Sequence, residues 1–307
     1  MEIIRGVNSV RNAHRGCVAT IGNFDGVHRG HQAVIRKLLE LARANGLPAA
    51  IVVFEPQPAE FFRGAEAPAR LTGFRDKCAL LAHYGLDRLV VLRFNAELAA
   101  LTAAEFIRTV LVERLGVKGL IVGDDFKFGC DRGGDFSTLQ RFSKQYDFQL
   151  DYTSSFLSKS ERASSTRVRA ALHAGDLEAA TELLGHAYKI SGRVIHGNKR
   201  GRGMGFPTAN IKLNHRPPLN GIFAARVDGL GPIARPAIAY IGTRPIIGGE
   251  KLVLEVHVVD YAEECYGRHI IVSFVRKVRD DLPFTDFDDL SRQITDDCAR
   301  ARELLAQ

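Results

Sequence analysis

The chain changes texture once, near residue 186. Before that point short β-branched runs alternate with amphipathic segments; after it, strand-like runs follow one another with only Gly, Pro and Asn turns between them. The first pattern requires parallel strands joined by helical crossovers, and the second requires antiparallel pairing. A single sheet does not satisfy both, so the 307 residues divide into an α/β domain over 1–186 and a β-rich domain over 187–307. Domains of about 100–200 residues fit the same division. In the first domain the runs predict strands over 18–23, 49–54, 87–94 and 117–123, with helices over 31–44, 75–84 and 102–115. In the second they predict strands over 188–196, 221–227, 237–241, 252–260 and 270–278, as an antiparallel barrel or sandwich, and a tail helix over 286–305.

Composition narrows the class. With 46% hydrophobic and 25% charged residues the chain is an ordinary globular one, neither disordered nor fibrous. No apolar run approaches the roughly 18 residues of a membrane-spanning helix. The opening residues lack the apolar stretch of a signal peptide, so none is expected. Five cysteines (Cys17, Cys78, Cys130, Cys265 and Cys298) form no C-x-x-C pair and leave an odd count. They read as free thiols in a reducing cytoplasm rather than as a disulfide framework or zinc site. The formal net charge of +7 is spread along the chain. Small anionic ligands account for it as well as nucleic acid does, and a mildly basic solvated surface accounts for it too.

The most informative stretch is Gly22-Asn-Phe24-Asp25-Gly-Val-His28-Arg-Gly30-His31. A strand runs out, a glycine turn follows and a helix opens, which is where free N–H groups and the helix dipole attract an anion. A lone histidine at such a turn is ordinarily a surface residue. Two that flank a glycine can donate hydrogen bonds to phosphate oxygens as charge develops. Three further segments follow: Phe54-Glu-Pro56-Gln-Pro58, Gly123-Asp-Asp125-Phe126, and Arg162-Ala-Ser164-Ser165-Thr166-Arg-Val-Arg169. Singly, the proline loop is turn chemistry and the serines an N-cap. The hydroxyls at a helix start, with Arg167 and Arg169, are also suited to a bound phosphate.

In the second domain Gly201-Arg-Gly-Met-Gly205-Phe-Pro-Thr208-Ala-Asn210 joins a glycine-rich loop to a stiff segment. Glycines let backbone approach phosphates, while Thr208 and Asn210 present hard oxygens suited to Mg²⁺. Glu255, between Leu254 and Val256, is pointed by period-two alternation away from both neighbours' face, and His257 shares its side. A carboxylate facing a cleft can accept the proton of an attacking hydroxyl; an ordinary exposed strand glutamate is the alternative. Neither a Walker A segment nor the protein-kinase H-R-D and D-F-G elements is present.

Together and in this order, the H-x-G-H signature and its companions resemble the adenylyltransferase module of bacterial FAD synthetases, a nucleotidyltransferase with a Rossmann-like parallel sheet. The G-R-x-x-G-F-P-T-A-N segment resembles riboflavin kinase, an antiparallel β-barrel with a C-terminal helix. The whole chain is thus similar to the prokaryotic bifunctional riboflavin kinase/FAD synthetase family. That resemblance implies that the second domain phosphorylates riboflavin with ATP·Mg²⁺, and that the first transfers AMP from ATP to FMN, giving FAD and pyrophosphate. It implies catalytic roles for His28, His31 and Glu255. It implies ATP or phosphate contacts from Gly22, Phe24, Asp25, Gly30, Ser164, Ser165, Thr166, Arg169, Gly201 and Gly205. Pro56, Pro58 and Arg244 fall to the flavin, as do Asp125 and Phe126, with a ribose the alternative for these two; Thr208 and Asn210 fall to the metal. No nucleic acid, membrane or obligate protein partner is expected. The chain departs from the family at Gly221-Ile-Phe223, at Arg244-Pro-Ile-Ile-Gly248 and at Asp281-Leu-Pro-Phe284. Retention of only one activity, or a flavin-sensing or nucleic-acid-binding module, are the competing readings. The intact H-x-G-H and serine-rich helix start argue against the first, and the lack of interleaved basic and aromatic runs against RNA binding.

Overall fold

The computed structural model describes residues 1–123, 126–153, 157–158, 161–196, 206–246, 249–261, 263–283 and 286–306. The chain packs as two compact units, Met1–Pro68 with Lys77–Ala163, and Ala69–Asp76 with Ser164–Gln307.

The first unit is built on six parallel strands: β1 (Glu2–Arg5), β2 (Cys17–Ile21), β3 (Ala49–Glu55), β4 (Arg88–Arg93), β5 (Val117–Gly123) and β6 (Gln149–Thr153). Their order across the sheet is β1-β4-β3-β2-β5-β6. The chain winds outward from β2 in one direction through β3 and β4, then returns to β5 on its other side. The crevice at the carboxyl ends of β2 and β5 is therefore the topological switch point, where ligands bind in such sheets. Alternation on β2 sends Cys17, Ala19 and Ile21 into a core with Phe106, Ile107, Val110 and Leu111. Val18 points to the other face, where Gly119 leaves room for the helix Arg29–Ala44; a Cβ on Gly119 would meet Leu41 Cδ2 at 3.3 Å. That helix buries Ile35, Leu38 and Ala42, a stripe at helical spacing. A short antiparallel pair, β7 (Leu157–Ser158) and β8 (Glu161–Arg162), closes the unit.

The second unit is a closed antiparallel barrel, which decides between barrel and sandwich. Its strands are β9 (Lys189–Ile195), β10 (Thr208–Ile211), β11 (Gly221–Asp228), β12 (Arg235–Ile246), β13 (Gly249–Val258) and β14 (His269–Arg279), in the order β10-β13-β12-β11-β14-β9. Phe223 and Phe274 fill the interior, edge to face at 5.5 Å. Ile222, Ala224 and Ile238 point outward and are covered by Cys298 and Ala301 of the terminal helix Phe287–Ala306. A half-buried ion pair fixes that helix: Arg279 Nη2 donates to Asp297 Oδ2 at 2.8 Å, and Arg279 Nε to Oδ1 at 2.9 Å.

The helices Ser165–Ala174 and Leu177–Leu184 pack with the barrel, although βα alternation groups them with the strands before them. Residues 69–76 join them: Arg169 Nε donates to Ala69 O at 2.6 Å, and Asp76 Oδ2 accepts from Ser191 N at 3.3 Å. Five strands escape the sequence patterns, among them the two-residue β7 and β8. β1 buries only Ile4, β6 buries nothing fully, and β10 lies inside the Pro-Thr-Ala-Asn segment.

Candidate active sites

β2 delivers the chain to the switch point and the loop after it is under strain. Phe24, Gly26 and Val27 have φ of 48°, 81° and 42°. A β-branched residue in the left-handed region is an outlier that persists only where the surroundings enforce it. Here Val27 is fully buried, and its carbonyl accepts from Gln32 Nε2 at 2.8 Å. Asp25 is buried in the same loop. A Cβ on Gly22 would meet the Phe24 ring at 3.3 Å, so the glycine makes room for that ring.

His28 caps the helix Arg29–Ala44, its Nδ1 accepting from His31 N at 3.4 Å. An accepting Nδ1 places the proton of a neutral imidazole on Nε2, which is then a donor. The two imidazoles stack with centroids 3.7 Å apart, and Phe24 lies 4.8 Å from His31 on centroids. Gly30 is required by close approach: a Cβ there would lie 3.0 Å from Ala163 O and 3.1 Å from His28 Nδ1. His31 Nδ1 is buried and has no hydrogen-bond partner among the described residues. Burial, then the charges of His28 and Lys77, hold the His31 pKa well below its ordinary value, so the ring is neutral near pH 7. Lys77 itself is fully buried, on the helix Phe74–His83. Sequence reasoning passed over it because a helical lysine ordinarily faces water.

Pro56 follows a cis peptide, and Pro58 opens the short helix Pro58–Arg63, capped by Gln57. Gln57 is buried, and its Nε2 has no hydrogen-bond partner among the described residues. Phe126 stacks on Phe128 at 5.3 Å, and its N–H donates to Gly123 O at the end of β5. Asp125 lies outside the described residues, as do Gly201 and Gly205. Ser164 caps the helix Ser165–Ala174 in the second unit, accepting from Arg167 N at 3.4 Å; Ser165, Thr166 and Arg169 occupy its first turns.

On the barrel, β10 and β13 pair so that Thr208 faces His257 and Asn210 faces Glu255. β12 continues the row on the far side of β13, with Tyr240 opposite Glu255. Their neighbours Ala209, Ile211, Leu254 and Val256 are buried in the interior, so Thr208, Asn210, Glu255, His257 and Tyr240 share the outer face. His257 Nδ1 lies 3.0 Å from Pro207 O, and its ring meets Phe206 edge-on at 5.4 Å. The bond fixes the residue before Thr208. Arg244 is a strand position of β12 opposite Lys251.

A hydroxyl, an amide and a carboxylate on one patch are oxygen donors, the set that a hard divalent cation takes. Among the described residues no group of three His, Cys, Asp or Glu residues is placed to hold a metal ion.

Comparison with known proteins agrees with both halves. Residues 10–167 match the family model of FAD synthetase, and residues 184–305 that of riboflavin kinase. The chain is 48% identical over 305 residues to the bifunctional riboflavin kinase/FMN adenylyltransferase of Escherichia coli strain K12, covering 99% of this chain and 97% of that protein. It is 46% identical to the protein of the same description from Pseudomonas fluorescens, covering 100% and 98%. A solved structure titled macrolide-efflux protein from Streptococcus pneumoniae superposes with a TM-score of 0.84 at 28% identity, over 98% of this chain and 99% of that one. Among the described residues no helix is long and apolar enough to cross a membrane. Matched end to end by relatives of that description, the chain belongs to the bifunctional riboflavin kinase/FMN adenylyltransferase family.

Proposed function

We propose that this protein makes FAD from riboflavin in two steps, with residues 187–307 carrying the kinase step and residues 1–186 the adenylyl transfer. The observation that carries the reading is the pairing of two different phosphate chemistries in one chain: stacked histidines at a helix N-terminus, and a carboxylate opposite an amide on a barrel.

In the first step Glu255 takes the proton of the terminal ribityl hydroxyl as its oxygen attacks the γ-phosphorus of ATP, and ADP leaves. Thr208 and Asn210 would hold Mg²⁺ and the phosphates, and the ion would supply charge neutralisation. His257 keeps Pro207, and with it Thr208, in place. In the second step an FMN phosphate oxygen attacks the α-phosphorus of a second ATP, and pyrophosphate leaves. The nucleophile is already anionic and needs no base. His31 acts as a neutral donor, with His28 as the second donor, to the oxygens that gain charge, which is where such donors accelerate reactions most. Gly22, Phe24, Asp25 and Gly30 shape the pocket for ATP, and Ser164, Ser165, Thr166 and Arg169 are assigned to its departing phosphates. The flavin is assigned to Pro56, Pro58, Asp125 and Phe126 in this step and to Arg244 in the first. The five cysteines are free thiols, in keeping with the reducing cytoplasm proposed as its location.

The test is direct. Purified protein with riboflavin, ATP and Mg²⁺ should yield FMN and FAD on chromatography. FMN alone would leave a kinase with an idle first domain, and neither product would leave a binding module.

A further inference from the structure

Tyr240 stands opposite Glu255 in the register of β12 and β13, and its hydroxyl donates to Asp281 Oδ2 at 2.8 Å. Asp281 belongs to the segment that follows β14, forty-one residues further along the chain. The fold makes room for this contact: a Cβ on Gly242 would lie 2.6 Å from the Tyr240 hydroxyl, and only a glycine leaves that space. The same segment is tied at its root. Lys277 Nζ meets Asp280 Oδ1 at 2.5 Å, Arg279 Nη1 donates to Asp280 O at 2.9 Å, and Arg279 is locked to Asp297 of the terminal helix. The next residue, Leu282, presents an apolar side chain to solvent at 47% exposure.

We infer that Tyr240 and Asp281 form a clasp that holds the segment after β14 against the strand beside Glu255, and so set the affinity of the kinase site for its flavin. The inference rests on the kinase reading above. The acceptor hydroxyl has to reach Glu255, so the ring system attached to it lies over neighbouring side chains on the same face. Tyr240 supplies an aromatic floor on that face. Leu282, next in sequence to Asp281, is an exposed apolar side chain suited to one side of an isoalloxazine. The exposed leucine then has a purpose that the folded chain alone does not give it. Neither residue takes or gives a proton in the reaction, so both are positioning residues.

The hydrogen bond between Tyr240 and Asp281 sets the size of the effect. Tyr240→Phe keeps the ring and its packing and removes only the hydroxyl; Asp281→Asn keeps the shape and removes the charge. Each should raise the KM for riboflavin by about 3–10-fold, the worth of one such bond. The KM for ATP and the conversion of supplied FMN to FAD should stay at parent values. Because the two groups act as a pair, the double variant should be no worse than either single one. Melting temperatures measured alongside should stay within about 2 °C of the parent, since surface changes of this kind shift stability little. Riboflavin KM values at the parent level, or losses that add in the double variant, overturn the clasp. A KM change that spreads equally to ATP, or that tracks a fall in melting temperature, overturns it as well by showing a general structural role. A parent protein that forms no FMN would instead defeat the kinase reading, which separates the two failures.

Discussion

Asn210 and Glu255 stand directly opposite each other across the antiparallel pair of β10 and β13, on the outer face of a closed barrel. Side chains so opposed have Cβ atoms about 4.5–5.5 Å apart, close enough to act on one ligand. Glu255→Gln keeps this geometry and removes the basic carboxylate. Riboflavin phosphorylation should fall by about 10²–10⁴-fold, the usual contribution of a positioned base. Supplied FMN should still become FAD at the parent rate, measured by flavin chromatography. Phosphorylation near the parent rate would mean that the base lies elsewhere.

The stacked pair His28 and His31 gives the reciprocal prediction. Replacing either by alanine should cut FAD formation from FMN by about 10²–10³-fold, the cost of one lost transition-state donor. A helix N-terminus attracts phosphate through its free N–H groups without the rings, so turnover should suffer more than ATP affinity, and FMN formation should be intact. Normal FAD output from both variants would remove this loop from the catalytic machinery.

Gly30→Ala tests the same site without touching a reacting group. The new Cβ would sit 3.0 Å from Ala163 O, a backbone atom that cannot swing away, and 3.1 Å from the His28 ring. The ring is what can turn, and turning it breaks the bond from His31 N to His28 Nδ1 together with the stack. FAD formation should drop toward the level of His28→Ala while the kinase rate stays unchanged. A fully active Gly30→Ala would show that the ring position is not critical.

The positions of these residues are legible in the sequence because their spacing is local. H-x-G-H sits within four residues at one strand-to-helix turn, and Glu255 is placed by its two apolar neighbours. The inner strands were legible for a similar reason: β5 was read at its observed bounds because residues 119–122 form a buried run. β1 and β6 are edges with little to bury, so no apolar run announces them. β10 is disguised by residues that ordinarily make turns, and forms because Ala209 and Ile211 fill the barrel. Lys77 and Tyr240 escape the sequence patterns because their contacts are with partners distant in sequence. Nothing in the local pattern says that a helical lysine is buried beside a histidine, or that a strand tyrosine bonds to Asp281.

The neutral state of His31 has a consequence for stability. Its folded pKa lies well below the ordinary 6.5, chiefly through burial. Above pH 6.5 both folded and unfolded chains carry a neutral ring, and the group adds no pH dependence. As pH falls below 6.5 the unfolded chain binds a proton that the folded chain refuses, so stability is lost. The melting temperature of the parent should therefore fall more steeply from pH 6.5 to pH 5 than that of His31→Gln. Parallel curves would show that the ring protonates freely in the folded protein.

The last prediction concerns where the kinase half can be cut. A fragment of residues 187–307 contains every barrel strand and the terminal helix, and should convert riboflavin to FMN on its own. It lacks the helix Leu177–Leu184, whose Leu177, Ala180, Leu183 and Leu184 are buried in the second unit. It also loses the ion pair of Glu178 with Arg276 and the bond from Ser191 N to Asp76. A fragment of residues 164–307 restores the helices, though not the strap at 69–76. Each buried leucine is worth about 1.5–3 kcal/mol relative to an exposed one, so the difference far exceeds that of any surface ion pair. At roughly 4–8 °C per kcal/mol for a domain of this size, the longer fragment should melt at least about 10 °C higher. Calorimetry on the two fragments decides it: equal melting temperatures would show that the helices belong functionally and energetically to the first half, as the βα alternation of the sequence suggests.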